Sequence, residues 1–348
     1  MNESDWTGNN DDINKALARI AIKRLVNEYN ATAFMFLSEK EIYGLNELAR
    51  EVNMDDILEA KLNESNKITM QDEEEFKTAD DESYTDTNIK DYRKYRTRKD
   101  FKTFKDYVSY CTAVYRFKVS KIYEQEEMID VEGDVTLDNK HLTQIPIKFN
   151  KVTGDFSCSF NPLDSLEGCP EYVGGEFLCS ITKITSLKGG PEYVGGHYIC
   201  ASNKLTSLVG APTSLNRLFD CSNNQLTSLK GGPIEVNEEY YCYNNKLTSL
   251  EGAPELAPST FACHLNELTS LEFAPKSVGR SFLCYKNKLT SLKGSPKIVN
   301  ITFNCLNNSK LKSLKGCPEL IKGEWQIDNR LKSLPEYQNY LSKGYTNK

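Results

Sequence analysis

Residues 219–239 read FDCSNNQLTSLKGGPIEVNEE, and residues 240–260 read YYCYNNKLTSLEGAPELAPST. The two lines superimpose over 21 positions without a gap. Each has an aromatic residue two before a cysteine, an asparagine three after it, leucines five and eight after it, and a proline twelve after it. Working outward, Cys158, Cys179, Cys200, Cys221, Cys242, Cys263, Cys284 and Cys305 follow one another at 21-residue intervals. The aromatic column is Phe156, Phe177, Tyr198, Phe219, Tyr240, Phe261, Phe282 and Phe303. The asparagine column is Asn161, Asn203, Asn224, Asn245, Asn266, Asn287 and Asn308, with Thr182 as its exception and one residue inserted near Ser309. Leu137, Leu142 and Ile145 add a unit upstream. Trp325, Ile327, Leu331 and Leu334 add one downstream, giving ten units over about residues 131–336.

A period of this length, repeated ten times, specifies a solenoid in which each unit packs only on its neighbours. Alternation through x-F-x-C-x turns the aromatic and the cysteine to one face of a short strand, and stacked units place these strands in a parallel sheet. The asparagine is then set to turn the chain and to satisfy backbone groups with its amide, once per unit. Glycine and proline in the second half predict a crossing without a real helix. The expected fold class is α+β: a small, mostly helical N-terminal domain over residues 1–130, the solenoid over 131–336, and a tail or cap over 337–348.

The line F-x-C-x-x-N-x-L resembles the leucine-rich-repeat template L-x-L-x-x-N-x-L, with cysteine in the second leucine position. The resemblance covers about 60% of the chain. Unit length and the proline-containing second half resemble the short repeats of secreted bacterial effectors. TSLKGGPEYVGG (residues 185–196), followed by C-x-x-N, resembles repeat proteins of bacteriophages and some bacteria. The resemblance implies strands on a concave face, little helix on the convex face, and protein binding through the concave face. It further implies a host protein as partner, an enzyme or defence factor held or inhibited in the host cytoplasm.

The columns are uniform except at the outward strand positions, which are small or mixed in early units and change character later. Tyr241, Tyr243, His264, Leu265, Leu283, Tyr285 and Leu306 form the expected partner-binding patch, since aromatic and aliphatic side chains there supply interface anchors. The competing expectation is that these aromatics only stack across strands. The eight ladder cysteines are expected as small buried apolar groups. All 11 cysteines are expected as free thiols, and no metal or other cofactor is expected, because no C-x-x-C pair occurs and the chain has three histidines. Lys183, Lys204, Lys246 and Lys288 form a column along one edge, expected to serve solubility.

Charge points away from nucleic acid. The chain has 43 basic and 49 acidic residues, a net charge of −6, and neither half carries a strong positive excess. No stretch is long and apolar enough for a membrane span. MNESDWTGNNDD lacks the pattern of a secretory leader, so reduced thiols in a cytoplasm are expected.

In the N-terminal region, helices are expected over 11–29, from the S-x-x-E capping box of Ser38 and Glu41 to about Val52, and over about 54–62. A charged linker is expected near 63–99, acidic over 71–84 and basic over 90–99. A longer helix is expected from Phe101 to Ile122. Two alternatives stand beside the binding scaffold. One is an effector-type enzyme acting through residues 1–130, where Cys111 is the sole cysteine; the other is a structural component that self-assembles through its repeat ends.

Overall fold

The computed structural model describes residues 96–342, and the expectations for residues 1–95 lie outside the described residues. Two parallel ladders run along the solenoid. The first is a single ten-stranded sheet, one strand per unit in chain order, from Val135–Thr136 to Glu324–Gln326. Register holds at the 21-residue period, with Phe219 opposite Tyr198 on one side and Tyr240 on the other. Each strand is two or three residues long. Inter-unit bonding therefore carries the structure. Backbone amides donate to the next unit at regular intervals, as from Cys221 to Tyr241 (2.9 Å) and from Cys242 to Ala262 (2.9 Å).

Inside this ladder the cysteine and aromatic columns are fully buried, together with the two leucine columns. The rings touch from unit to unit at centroid distances between 5.0 Å (Phe177–Tyr198) and 6.0 Å (Phe303–Trp325). Cysteine fits opposite such rings because its small side chain leaves room at the strand spacing for leucines to return inward. Cys200, Cys242 and Cys284 donate their Sγ hydrogens to the next unit's carbonyls at 3.3–3.4 Å.

The asparagines do what their column predicts. The Asn245 amide nitrogen donates to Cys221 O (3.0 Å) and Cys242 O (3.2 Å), while its oxygen accepts from Leu226 N (3.0 Å). One side chain thereby ties three backbone groups across two units. The residue before each asparagine takes a left-handed φ, from +51° at Asn244 to +58° at Phe160. Asparagine side chains can supply the hydrogen bonds that make such a turn affordable to a non-glycine chain.

The second half of the unit contains no helix but is more regular than its glycines and prolines imply. Tyr172–Val173, Tyr193–Val194 and their successors form a second set of two-residue parallel strands: the first two complete a five-stranded sheet begun by longer strands before them, and the rest fall into sheets of two and four. The signal lay in the apolar column Val173, Val194, Leu215, Val236, Ala257, Val278 and Val299, fifteen positions after each cysteine and buried throughout. One gap in this ladder, between Glu235–Val236 and Leu256–Ala257, has a chemical cause. The residue after the strand donates its amide to the preceding unit at Gly195, Asn237 and Gly279, but Pro258 has none to give.

Both ends are closed. The expected helix from Phe101 to Ile122 is corrected to α1, Phe104–Tyr115, N-capped by the Thr103 side chain and ended by Arg116 in the left-handed conformation. The chain then alternates, and Val119 and Ile122 lie in β1 (Lys118–Tyr123), antiparallel to β2 (Met128–Glu132). β2 pairs in parallel with Lys148–Val152, so the hairpin opens the second ladder. Phe117 and Phe149 (5.4 Å) join this cap to Phe156 of the ring column. Tyr107 Oη donates to the Pro146 carbonyl. At the other end, α2 (Pro335–Ser342) sets Tyr337 and Tyr340 against Trp325 at 5.3 and 4.9 Å. Arg330, at the asparagine position of the last unit, donates to Leu311 O (2.6 Å) and Asn308 O (2.7 Å).

Candidate functional site

Residues on either side of each cysteine point out of the ten-stranded ladder. The column after the cysteine holds Ser159, Ser180, Ala201 and Ser222, then Tyr243, His264, Tyr285 and Leu306. The column before it holds Ser157, Leu178, Ile199 and Asp220, then Tyr241, Ala262, Leu283 and Asn304. The column after the cysteine therefore changes size at Tyr243, from small residues to large ones, while the column before it mixes sizes throughout.

The expected residues come together as follows. Tyr243, His264 and Tyr285 form a continuous stack, with centroids 4.5 and 4.2 Å apart and rings within 14° of parallel. A spacing just under that of the strands lets successive rings meet face to face while remaining upright. Tyr241 approaches Tyr243 at 6.1 Å in a tilted arrangement. Leu283 sits beyond Ala262 in register, and Leu306 follows Tyr285 on the next strand. Leu265 differs: it occupies the left-handed turn position (φ +54°), so its side chain, 40% exposed, belongs to the rim rather than the strand face. The stacking expected as the competing explanation is thus present, and the same rings keep part of their surface open.

His264 is the most enclosed member, and its Nδ1 has no hydrogen-bond partner among the described residues. Burial, and secondarily the Lys286 charge, lowers its pKa from 6.5 to about 4, so the ring stays neutral near pH 7. Burial raises Tyr241 and Tyr285. The outward residues in and beside the patch that sequence reasoning left out are Asp220, Ala262 and Asn304. Asp220 accepts a hydrogen bond from the Ser222 amide (2.9 Å). Burial raises its pKa, tempered by bonds from Ser222. Ala262 is buried between Tyr241 and Leu283.

The thiols are all free, and the eight in the ladder are buried. Burial raises Cys111 to about 12 and Cys305 to about 12, and pushes Cys179, Cys200 and Cys221 well above the ordinary thiol value. Among the described residues, no group of three or more histidine, cysteine or acidic side chains is placed to hold a metal ion. No described helix is long and apolar enough to cross a membrane. The lysine column is internally tied where acids or amides interrupt it: Lys288 pairs with Glu267 at 2.8 Å, and Lys246 Nζ donates to Gln225 at 3.5 Å. Of the basic block, Arg98 pairs with Glu127 at 2.7 Å. No family model, curated protein or solved structure matches the chain.

Proposed function

We propose that the chain is a repeat scaffold that holds a partner protein against the outer face of its ten-stranded ladder, over the units from Tyr241 to Leu306. One observation carries this reading. The outward positions are where otherwise uniform columns diverge, and large half-buried side chains gather there on four consecutive strands. Tyrosine and leucine side chains on a rigid sheet bind at low entropic cost, because packing has already restricted them. On this reading the face is the concave surface of a leucine-rich-repeat protein. The phage-type repeat wording supports a host protein, an enzyme or defence factor, as the partner, met in the host cytoplasm. Nucleic acid is disfavoured by the balanced charge.

The same reading assigns binding and not catalysis. Cys111, the thiol weighed as a nucleophile, faces the core from α1, and its raised pKa opposes the thiolate that nucleophilic chemistry needs.

The test compares capture by the wild-type chain with capture by two variants, using cytosol of a cell in which the protein occurs. Tyr241→Ala/Tyr243→Ala/Tyr285→Ala is expected to lose a specific partner. Ile234→Ser/Leu256→Ser, altering exposed residues of the second ladder, is expected to retain it. Equal capture by wild type and the tyrosine variant would remove the patch from the interface.

A further inference from the structure

At its N-terminal end the ten-stranded ladder stops with its hydrogen bonding unfinished. Within the solenoid each strand turns a row of carbonyls toward the unit before it, and that unit fills them. Asp155 O, Ser157 O and Ser159 O accept from the amides of Val135 (2.8 Å), Leu137 (2.8 Å) and Asn139 (3.2 Å). Glu176 O, Leu178 O and Ser180 O accept from those of Phe156 (2.8 Å), Cys158 (2.9 Å) and Phe160 (3.0 Å). The same row in the first unit is Asp134 O, Thr136 O and Asp138 O, and no described residue donates to any of the three. Strand alternation turns the Thr136 amide to the same side, because the Val135 and Leu137 amides face the next unit. Val135–Thr136 is the edge strand of its sheet, and Asp134 and Thr136 are exposed.

The second ladder begins differently. It opens on the β1–β2 hairpin, whose outer strand β1 carries Lys118 and Lys121 and a register shift between Val119 and Lys121. Lysines and an irregular register discourage a further strand from pairing. Beside Val135–Thr136 the charged side chains are carboxylates, and they are drawn back onto the next unit, away from the edge. Asp134 Oδ1 accepts from the Asp155 amide (2.9 Å), and Asp138 Oδ1 accepts from Ser157 Oγ (2.6 Å). A groove of about 620 Å³ lies between this edge and the end of α1, with Thr136, Asp138, Val114 and Arg116 in its lining. Val114 is 39% exposed there and gives the polar groove an apolar contact.

We propose that the edge of Val135–Thr136 is a docking site for an extended segment of a partner protein, which joins the ten-stranded ladder as one more strand. The groups at the edge name the chemistry of the occupant. Carbonyls recur at every second residue, about 6.6 Å apart, with an amide between them. A side-chain cation answers one such group at a time, whereas an extended main chain meets the row with donors at the same period. The chain holds an example of the fit, since the first strand's own amides fill the identical row one unit further on. A side chain of the added strand that points toward α1 meets Val114, which favours an apolar residue there. This site lies at the end of the ladder, away from the patch around Tyr243, and goes beyond the binding reading above without resting on it.

The experiment uses the full chain and a blocked heptapeptide, GNVTLNN. It is residues 133–139 with both aspartates replaced by asparagine, which removes like-charge repulsion at the edge. A second peptide is identical but N-methylated at its valine and leucine, whose amides are the ones that would face the carbonyl row. Each is titrated while the backbone amide resonances of Thr136 and Asp138 are followed by NMR. The plain peptide is expected to saturate, to shift both amides and to slow their hydrogen exchange. The methylated peptide is expected to bind at least about tenfold more weakly, because two hydrogen bonds are lost. Thr136→Pro removes the edge-facing amide, a change that an edge strand tolerates, and is expected to keep the melting temperature and lose the peptide.

Equal binding of the two peptides would overturn the site, as would the absence of saturation or shifts that bypass Thr136 and Asp138. So would a folded Thr136→Pro chain that binds the plain peptide as tightly as the wild type. If that variant does not fold, the comparison of the two peptides on the wild-type chain decides alone. Dimers that form with rising concentration of the wild-type chain and compete with the peptide would give the edge to a second copy, and the partner reading would fall.

Discussion

At the scale of single residues, two hydroxyls explain a pattern in the ring column. Tyr198 and Tyr240 replace phenylalanine in two of its units, and their buried Oη atoms have no hydrogen-bond partner. Eight positions before each stands a glycine, Gly190 and Gly232. Eight before the phenylalanines stand Lys148, Cys169, Ala211, Ala253, Ala274 and Ser295, all with a Cβ. A Cβ built on Gly190 would lie 3.2 Å from the Tyr198 hydroxyl, and one on Gly232 would lie 3.3 Å from that of Tyr240. The phenol therefore occupies the room that the missing Cβ leaves. Gly190→Ala is expected to destabilise the wild-type chain by ~1–3 kcal/mol through overpacking. In a Tyr198→Phe background the penalty should shrink by at least ~0.5 kcal/mol. Urea titrations of the four proteins measure the coupling, and additive effects would show that the two sites do not share the space. The pairing is visible in the sequence as two columns that change together, but its cause is a distance across the core.

At the scale of the element, the asparagine ladder has one break whose consequence can be checked. Thr182 keeps its hydroxyl and amide on Asn203 Oδ1 (2.7 Å each) but cannot reach back to the preceding unit. In the other units outside the Thr182–Asn203 pair, the leucine amide of the preceding unit donates to the asparagine oxygen, as Leu205 N does to Asn224 (3.0 Å). Leu163, the equivalent residue before Thr182, has no such acceptor. Thr182→Asn completes the row and is expected to raise stability by ~1 kcal/mol, the net value of a buried hydrogen bond. Asn245→Ala, which strands two carbonyls and an amide, should cost ~2–4 kcal/mol. Denaturation midpoints decide both, and a destabilised Thr182→Asn protein would mean that the local backbone is tailored to threonine. The asparagine role was legible from the sequence because polar residues recurring in an apolar frame must satisfy backbone groups. The second ladder was not, since its two-residue strands leave no periodicity within one unit and reveal themselves only when ten units align.

At the scale of the whole molecule, the two ends decide whether a one-dimensional core is stable. Its aromatic column does not stop at the last repeat: it passes from Phe117 and Phe149 through eight repeat rings and Trp325 to Tyr337 and Tyr340. The Tyr340 hydroxyl also donates to Ile321 O at 2.9 Å. Because each unit is held by its neighbours, loosening an end exposes the next ring and propagates. Tyr340→Ala is expected to cost ~3–5 kcal/mol, the usual range for removing a buried large aromatic. Hydrogen exchange should show protection lost first from Glu324–Gln326 and Leu320–Ile321. Unchanged exchange there would mean that α2 does not cap the solenoid.

The sequence by itself determined the repeat, its period, the ten strands, the burial of cysteine and aromatic columns, and the asparagine turn. These follow from periodicity, which a single chain displays in full when units repeat. It also picked out Tyr241, Tyr243, His264 and Tyr285 as the place where uniform columns diverge. Only the tertiary structure decided that three of these rings stack into one block, that Leu265 sits on the turn, that α1 gives way to a hairpin after Arg116, and that Asp220 is left without a cation. The stack and the surroundings of Asp220 depend on what stands one unit away in space, 21 residues off in the chain.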